Sequence, residues 1–176
     1  MFMTTAQLAL PTMKPDAAAE STDDWYTPQK YIDAARRVLG AIDLDPASSQ
    51  KAQRIVQAAR YFTIADDGLA HPWQARSLWL NPPYSAPGPW VEKLIGEHEA
   101  GHVGAAILLV YVATDTSWFQ GLWNYPICFV RGRIQFNNRR GRSNPRGSVF
   151  VYLGSDRARF IELFSPIGAV VERVSK

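Results

Sequence analysis

The sequence predicts an α/β fold in which helices pack on a mostly parallel sheet that ends in an antiparallel C-terminal hairpin. Strand-length apolar segments alternate with helical segments through the first two-thirds of the chain. The apolar run 105–112 (AAILLVYV) has the length of a strand that is buried on both faces. Two later apolar segments flank a loop rich in Gly and Arg, as the strands of a hairpin do.

Turn residues and apolar periodicity set the bounds of the individual elements. The first helix is predicted over 27–39, because Thr27 can cap it, Pro28 suits its first turn and Gly40 can end it. The other predicted helices cover 48 or 49 to 60, 90–99, a short stretch from 115 or 116, and 156–163. The predicted strands cover 41–44, 61–63, 77–80, 105–112, 127–136, 148–153 and 170–174.

Composition is that of an ordinary globular protein, with 47% apolar and 20% charged residues. Residues 1–22 lack periodicity and are predicted to form a flexible tail, which leaves one domain over 23–176. Cys128 is the only cysteine, so an internal disulfide is excluded, and the three scattered histidines predict no metal site. A signal peptide pattern and long apolar runs are both absent, which predicts a cytoplasmic protein.

Basic residues are concentrated in one part of the chain. No Asp or Glu occurs between Asp115 and Asp156. The same stretch contains six arginines, namely Arg131, Arg133, Arg139, Arg140, Arg142 and Arg146. Such a block without opposite charges indicates an anionic partner, although a solvated surface loop would have the same composition. The tip of this hairpin, near 137–147, is the candidate for contact with nucleic acid.

The tetrapeptide Asn81-Pro82-Pro83-Tyr84 directly follows a predicted strand. Two prolines end the strand and present the Asn81 amide and the Tyr84 ring on a rigid turn. An adenine amine is a weak nucleophile, because its lone pair is delocalised into the ring. Hydrogen-bond acceptors on both of its N–H bonds, the Asn81 side-chain carbonyl and the Pro82 backbone carbonyl, would localise that lone pair, and Tyr84 could stack on the base. The tetrapeptide therefore predicts methylation of a nucleobase amine or of a side-chain amide, by positioning and electrostatics.

A second polar turn follows the strand before it, at Asp43-Leu44-Asp45-Pro46-Ala47-Ser48. An acidic group at a strand end can bind the ammonium of a cofactor, and small residues let the backbone approach a ligand closely. In open α/β sheets, ligands bind beyond the carboxyl ends of the strands, where both polar turns are predicted to lie. Taken alone, this second pattern also fits a simple turn.

These patterns together resemble the amino-methyltransferases of DNA. Tyr26-Thr27-Pro28, the acidic turn at 43–48 and the tetrapeptide occur in that family's order, over about 24–154. The closer resemblance is to phage-type DNA N6-adenine methyltransferases, the phage Dam family. It is supported by Asp66-Asp67-Gly68-Leu69 with Trp73, by Thr114-Asp115-Thr116 with Trp118-Phe119, and by Arg131-Gly132-Arg133-Ile134-Gln135-Phe136.

The resemblance implies a compact Rossmann-like class I methyltransferase sheet, S-adenosylmethionine as cofactor, double-stranded DNA as substrate, and catalysis at Asn81-Pro82-Pro83-Tyr84. The cofactor contacts that it implies are Tyr26, Thr27, Pro28, Asp43, Asp45, Pro46, Ala47, Ser48 and either Asp66 or Asp67. Protection of phage DNA from restriction in a bacterial host cytoplasm would be the biological setting.

The chain departs from the family pattern in two places. The glycine-rich continuation after Asp-Pro-Ala is replaced by Ser48-Ser49-Gln50. The segment 49–80 is too short for two helix–strand units, so one connecting element is expected to be missing. This segment also leaves no room for a DNA-reading insertion, which assigns sequence recognition to the Arg-rich hairpin. Arg can read guanine or hold phosphate there.

Two other functions fit part of the pattern. Enzymes that methylate glutamine in proteins also use Asn-Pro-Pro-Tyr, because an amide nitrogen poses the same chemical problem. They usually have a glycine-rich first motif, which is missing here, and they need no Arg-rich hairpin. A catalytically silent nucleic-acid-binding module on the same fold is the third possibility, which the intact tetrapeptide disfavours.

Overall fold

The computed structural model describes residues 25–136 and 145–174, which form a three-layer α/β/α domain. The five helices are α1 (Gln29–Leu39), α2 (Gln50–Val56), α3 (Gly88–Glu99), α4 (Ser117–Gln120) and α5 (Arg157–Phe164). The seven strands are β1 (Leu44–Asp45), β2 (Arg60–Tyr61), β3 (Ala75–Leu80), β4 (Val103–Tyr111), β5 (Ile127–Val130), β6 (Ser148–Leu153) and β7 (Gly168–Val171). The predicted tail at 1–22 lies outside the described residues.

The seven strands form one sheet in the order β2-β1-β3-β4-β6-β5-β7. The pairs among β2, β1, β3 and β4 are parallel, whereas β6 is antiparallel to both β4 and β5 and β7 is antiparallel to β5. Strands β1 to β5 therefore point one way, and β6 and β7 point the other. The predicted mostly parallel sheet with an antiparallel C-terminal part is confirmed and is consistent with a class I methyltransferase fold.

The central strand β4 has a buried side chain on each face of the sheet. Leu108 and Leu109 are both fully buried, which confirms the prediction drawn from the continuous apolar run. One face packs against α1 and α5, through side chains such as Ile32 and Phe160. The other packs against α3 and α4, through Leu94 and Phe119. The strands are thus held rigidly between two apolar layers, and the loops at their ends can carry polar groups.

Several predicted elements differ from the structure. The strand predicted over 41–44 is Leu44–Asp45, and the strand predicted over 170–174 is Gly168–Val171. Helix α2 ends at Val56 rather than at 60, because Gln57 adopts a left-handed conformation with φ 47°. Strand β5 ends at Val130 rather than at 136, because Gly132 turns the chain with φ 77°. Thr27 does not cap α1; the N-cap position is Pro28, without a side-chain bond. Ser49 does cap α2, accepting a hydrogen bond from the Ala52 N–H.

The connection between β1 and β3 is short, as its sequence length predicted. It contains α2, the two-residue strand β2 and one 3₁₀ turn at Gly68–Ala70. Gly68 packs closely against the acidic turn. A side chain at this position would place its Cβ only 1.9 Å from the Pro46 carbonyl oxygen. Only glycine fits there, so the Asp66-Asp67-Gly68 segment is fixed against the end of β1.

Candidate active site

Three of the predicted site residues, Asp45, Asn81 and Tyr84, come together at one edge of the sheet, which we call the carboxyl edge: the edge where β1, β3 and β4 end. Parallel strands place their carboxyl ends side by side, so Asp45, Asn81 and Tyr111 share this edge. Strand β6 is antiparallel and starts here, since Ser148 pairs with Tyr111. The connection from β5 to β6, with its arginines, consequently leaves and rejoins the sheet at the same edge.

Asn81 presents a buried hydrogen-bond acceptor at this edge. Its Nδ2 donates to the Trp25 backbone carbonyl at 2.7 Å and to the Thr27 Oγ1 at 3.5 Å. Its Oδ1 is buried and has no hydrogen-bond partner within the part of the chain that the structure describes. Buried polar atoms in folded proteins are nearly always paired, so an unpaired carbonyl oxygen after a strand end indicates a ligand that donates to it.

The Tyr84 ring belongs to an aromatic cluster next to Asn81. Trp25 stacks on it with ring centroids 5.6 Å apart, and Tyr111 and Phe136 meet it edge to face at 5.5 and 6.2 Å. Trp25 therefore covers one face of the ring that the sequence assigned to base stacking. Stacking on that face requires Trp25 to move.

The Tyr84 hydroxyl is buried and lies near the Ser148 hydroxyl. Burial raises the pKa of this phenol above its usual value. The Ser148 hydroxyl lies close enough to oppose the rise, although neither oxygen completes a hydrogen bond of regular geometry within residues 25–136 and 145–174. Tyr84 thus stays neutral at physiological pH and can contribute its ring, but not a base, to chemistry.

Asp45 is a buried carboxylate with one oxygen left unpaired. Its Oδ2 accepts from Gln53 Nε2 at 2.8 Å, while no described group donates to its Oδ1. Burial raises the pKa of this carboxyl to about 7, against the lowering effect of hydrogen bonds from Ser48, Ala47 and Gln53. A carboxylate held in this state suits a cationic or hydroxyl-bearing ligand, which would pair with Oδ1 and lower its pKa.

Asp45→Asn is expected to raise the free energy of unfolding more at about pH 8 than at about pH 5. Because the folded-state pKa of about 7 exceeds the usual value of 3.8, the stability contributed by Asp45 is complete below about pH 4 and is lost as the pH rises through 7. Each pH unit in that window removes about 1.4 kcal/mol. Denaturant unfolding of both proteins at the two pH values measures this effect. The same difference in free energy of unfolding between wild type and Asp45→Asn at both pH values would refute the raised pKa of Asp45.

The other acidic residues of the sequence pattern are placed differently. The Asp43 carboxylate accepts hydrogen bonds from the backbone N–H groups of Arg76 and Ser77 at 3.1 and 3.3 Å. These bonds connect the residue before β1 to the start of β3. The Asp66 carboxylate accepts from the Thr63 N–H and hydroxyl at 2.8 and 2.7 Å, and these bonds lower its pKa. Asp67 is exposed beside Gly68 and accepts a weaker bond from the Leu69 N–H at 3.3 Å.

The small residues after Asp45 are tied to neighbouring segments. The Ser48 hydroxyl accepts from Gln53 Nε2 at 2.7 Å, and its backbone N–H donates to the Phe62 carbonyl at 2.9 Å. These bonds hold the turn in shape without a glycine-rich sequence. Gln53 on α2 thus supports both Asp45 and Ser48, a role that the sequence pattern did not reveal.

Three arginines of the basic block are described, and they lie beyond the end of β5 or just before β6, at the carboxyl edge. Arg131 and Arg133 are exposed beyond the end of β5. The Arg146 guanidinium lies over the Tyr111 ring, 4.3 Å from its centroid, which is the distance of a cation–π contact. Arg139, Arg140 and Arg142, and most of the predicted recognition loop, lie outside the described residues.

Three aromatic residues of this edge were missed as candidates for the site. Trp25 precedes the Tyr26-Thr27-Pro28 motif and reaches both Asn81 and Tyr84. Tyr111 ends the buried strand β4, and Phe136 ends the 131–136 motif and meets Trp25 at 5.0 Å. Their positions next to recognised motifs were the available signal. Their contact across the sheet depends on strand order, which no local pattern encodes.

Metal-binding clusters and membrane-spanning helices are both absent from the described part of the chain. No group of three His, Cys, Asp or Glu side chains in the described ranges is arranged to hold a metal ion. Among the helices that the structure describes, none has the length and apolar character needed to cross a membrane.

Comparison with known proteins agrees with the geometry. Residues 14–165 match the family model described as DNA N-6-adenine-methyltransferase (Dam). A DNA N-6-adenine-methyltransferase of Escherichia phage T1 is 31% identical over 109 residues, which cover 61% of this chain and 42% of the relative. Another, of Haemophilus phage HP1 (strain HP1c1), is 28% identical over 107 residues, covering 60% of each protein. The matches thus span about half the length of these relatives. Because the family model covers most of the chain and its motifs meet at one edge of the sheet, the chain belongs to the DNA N-6-adenine-methyltransferase (Dam) family.

Proposed function

We propose that this protein transfers a methyl group from S-adenosylmethionine to the N6 amine of adenine in double-stranded DNA. The observation that carries the proposal is the buried, unpaired Oδ1 of Asn81, placed by the tetrapeptide at the carboxyl edge. A substrate amine could donate a hydrogen bond to this oxygen. Family membership and the arginines of the carboxyl edge favour DNA over a protein glutamine or a silent binding role.

The acidic turn after β1 fits the cofactor. Asp45 has an unpaired, buried Oδ1, and Ala47 and Ser48 are small enough for close approach. We assign the ammonium group to Asp45, with Pro46, Ala47 and Ser48 lining the site. When bound, S-adenosylmethionine supplies an electrophilic methyl group on a positively charged sulfur. The missing glycine-rich sequence is replaced by the bonds of Gln53 to Asp45 and Ser48.

Other cofactor contacts are proposed on either side of this turn. Tyr26 and Pro28 lie in the segment that contacts Asn81, whereas the hydroxyl of the buried Thr27 is already directed at the Asn81 Nδ2. Of the two neighbouring acids, Asp67 is the better candidate, because both Thr63 bonds already engage the Asp66 carboxylate. The Asp43 carboxylate already accepts hydrogen bonds from backbone N–H groups of β3, which favours a structural role for Asp43.

The chain's own residues prepare the amine for transfer. One amine hydrogen is donated to the Asn81 Oδ1 and the other to the Pro82 backbone carbonyl, so the nitrogen lone pair turns toward the methyl donor. Pro83 keeps the turn rigid, and the Tyr84 ring forms a wall of the base pocket. Because these acceptors are fixed before the reaction, catalysis rests on positioning and electrostatics. The base must leave the duplex first, at a cost of a few kcal/mol.

We propose that the arginines of the carboxyl edge hold the DNA. Arg131 and Arg133 follow β5, Arg146 lies on Tyr111, and the chain between Arg133 and Arg146 carries Arg139, Arg140 and Arg142. Two fixed points flank that segment: Phe136 packs on Tyr84, and Arg146 lies on Tyr111. We propose that the segment between these two points contacts DNA whose base enters the pocket. We propose a recognition loop near 137–147 as part of one domain over 23–176. We also propose that the protein acts in a cytoplasm.

Replacing Arg139, Arg140 and Arg142 together by Ala is expected to weaken DNA binding. Its salt dependence should flatten by about one unit of log–log slope for each phosphate that the variant no longer binds. Any of the three that reads a guanine edge should instead cost about 1–3 kcal/mol and relax specificity at one base pair. Affinity measured against salt concentration, on a specific and a scrambled duplex, separates the two cases.

The matched control for this test is Arg37→Ala. Arg37 is exposed near the end of α1, beside the start of β1 and so at the opposite edge of the sheet. This variant removes positive charge without touching the proposed interface. A triple variant with the affinity and salt slope of the wild type would make the loop an ordinary solvated surface.

Labelled S-adenosylmethionine tests the substrate class directly. Unmethylated duplex DNA and a protein mixture are offered in separate reactions, and the label in each polymer is counted. We expect label in DNA alone. Label confined to protein would favour the glutamine-methylating alternative, and cofactor binding without transfer to either polymer would favour the silent module.

A further inference from the structure

Both hydrogens of the Asn81 amide have acceptors on the segment before α1. Nδ2 donates to the Trp25 carbonyl at 2.7 Å and lies 3.5 Å from the Thr27 Oγ1. Thr27 is 5% exposed, so water cannot replace its hydroxyl freely. The amide nitrogen is thereby committed to the protein, and only the carbonyl oxygen, which is buried and unpaired within the described residues, is left for a substrate.

We propose that the Trp25 backbone carbonyl and the Thr27 hydroxyl are positioning groups, which fix the Asn81 amide with its oxygen toward the substrate amine. This inference rests on the proposed function and explains why the Asn81 Oδ1, rather than its NH₂ group, faces the substrate amine. Trp25 and Thr27 act through Asn81 and need no contact with the base.

The orientation of the Asn81 amide matters because its NH₂ group can only donate hydrogen bonds, whereas its oxygen can only accept them. A reversed Asn81 would present its NH₂ group to a substrate NH₂ group, so two donors would meet and the lone pair would gain nothing. Reversal would also point Oδ1 at the Trp25 carbonyl oxygen, which cannot donate. The reversed contacts with the substrate amine and with the Trp25 carbonyl therefore both disfavour the inactive orientation. The Thr27 hydroxyl can donate or accept, so it does not select the orientation but helps to hold the amide in position.

The same two bonds strengthen the acceptor. An amide that donates from its nitrogen shifts electron density toward its carbonyl oxygen, because hydrogen bonds along a chain polarise one another. The Asn81 Oδ1 thus accepts more strongly than the oxygen of a free amide side chain. Its burial, away from water, increases the effect.

This role differs from the cofactor contact that the sequence assigned to Thr27, and a pair of variants separates them. Thr27→Val keeps the shape but removes the hydroxyl, and Thr27→Ser keeps the hydroxyl. We expect Thr27→Val to lower kcat by about 3–10-fold, the effect of removing one hydrogen bond, with an unchanged Kd for S-adenosylmethionine. Thr27→Ser should restore kcat. A weaker cofactor Kd with unchanged kcat would overturn the inference and return Thr27 to the cofactor site.

A pH profile of Asn81→Asp tests the Trp25 carbonyl without altering the backbone. An ionised Asp would place a carboxylate oxygen at 2.7 Å from that carbonyl, so the two acceptors would repel. A protonated Asp has one donor and one acceptor, like the amide. Activity of Asn81→Asp relative to wild type should therefore increase as the pH falls. A ratio independent of pH, or wild-type activity above neutral pH, would overturn the inference.

A third measurement does not depend on activity. The side-chain NH₂ signals of Asn81 in an NMR spectrum are assigned by their absence in Asn81→Asp. In the free protein they should exchange with solvent slowly, and Thr27→Val should accelerate this exchange. Rapid exchange in the wild type would refute the fixed orientation. Slow exchange in a protein that methylates neither DNA nor protein would support the orientation while refuting the proposed function.

Discussion

Asn81→Ala is expected to lower the rate of methyl transfer by about 10²–10³-fold, the usual effect of removing one fixed electrostatic contact from a reacting group. The variant lacks the buried Oδ1 to which we propose that the amine donates, and the Pro82 carbonyl alone would not direct the lone pair. Cofactor affinity should stay close to that of the wild type, because Asp45 and its turn are unchanged. Single-turnover kinetics with duplex DNA, together with calorimetry for the cofactor, measures both quantities.

Asn124→Ala is the matched control for that result. Asn124 is a surface residue near the start of β5, at the other edge of the sheet, and its Oδ1 accepts from Arg173 Nη1 at 3.0 Å. This control also deletes an Asn side chain but leaves the carboxyl edge intact. If Asn81→Ala turned over as fast as Asn124→Ala, the tetrapeptide would have no part in catalysis.

Asp45→Ala should weaken S-adenosylmethionine binding by about 1.5–3 kcal/mol, or about 10–150-fold in Kd. The variant removes the one buried carboxylate whose Oδ1 has no partner in the described chain, and so the group assigned to the cofactor's ammonium. Asp45→Asn keeps an acceptor for Gln53 but removes the charge, and should weaken binding by a similar amount. Calorimetry gives both constants, with Asp33→Asn on α1, a residue whose side chain is 56% exposed, as control.

The pH dependence of the same binding gives a second check on Asp45. The carboxyl, with its pKa raised to about 7, is protonated in the free protein at lower pH, so cofactor affinity should fall as the pH drops below 7. Binding there should release close to one proton. Above about pH 8 the α-amino group of the cofactor itself loses its charge, and the affinity should fall again. An affinity that stays constant below neutral pH would remove Asp45 from the ammonium site.

Much of the site was predictable because its chemistry is local in sequence. Asn81-Pro82-Pro83-Tyr84 must end a strand, since its prolines cannot continue the ladder, and β3 does end at Leu80. The acidic turn at 43–48 was located by the same reasoning. Which of Asp43 and Asp45 keeps an unpaired oxygen was not predictable, because that depends on burial and on bonds to β3, which lies more than 30 residues away in the sequence.

Long-range contacts explain what the sequence pattern missed. The carbonyl of Trp25 reaches Asn81 across 56 positions of sequence, and no periodicity or turn chemistry encodes such a bond. Strand β5 was predicted to continue to 136 because its apolar residues alternate. The side chains of Ile134 and Phe136 are indeed buried, but in an irregular segment beyond Gly132 that packs onto the core and the aromatic cluster. Side-chain packing, rather than strand pairing, therefore holds the segment beyond Gly132 on the core.

Analysis of the nucleosides released from the treated DNA identifies both the base and the atom that are methylated. Unmethylated duplex DNA is incubated with the protein and S-adenosylmethionine, digested to nucleosides and examined by mass spectrometry, with Asn81→Ala treated in parallel. We expect N6-methyl-2′-deoxyadenosine from the wild-type protein and a strongly reduced amount from the variant. Methylation of another base would refute the proposed adenine N6 activity, and equal amounts of product from the two proteins would refute the role of Asn81.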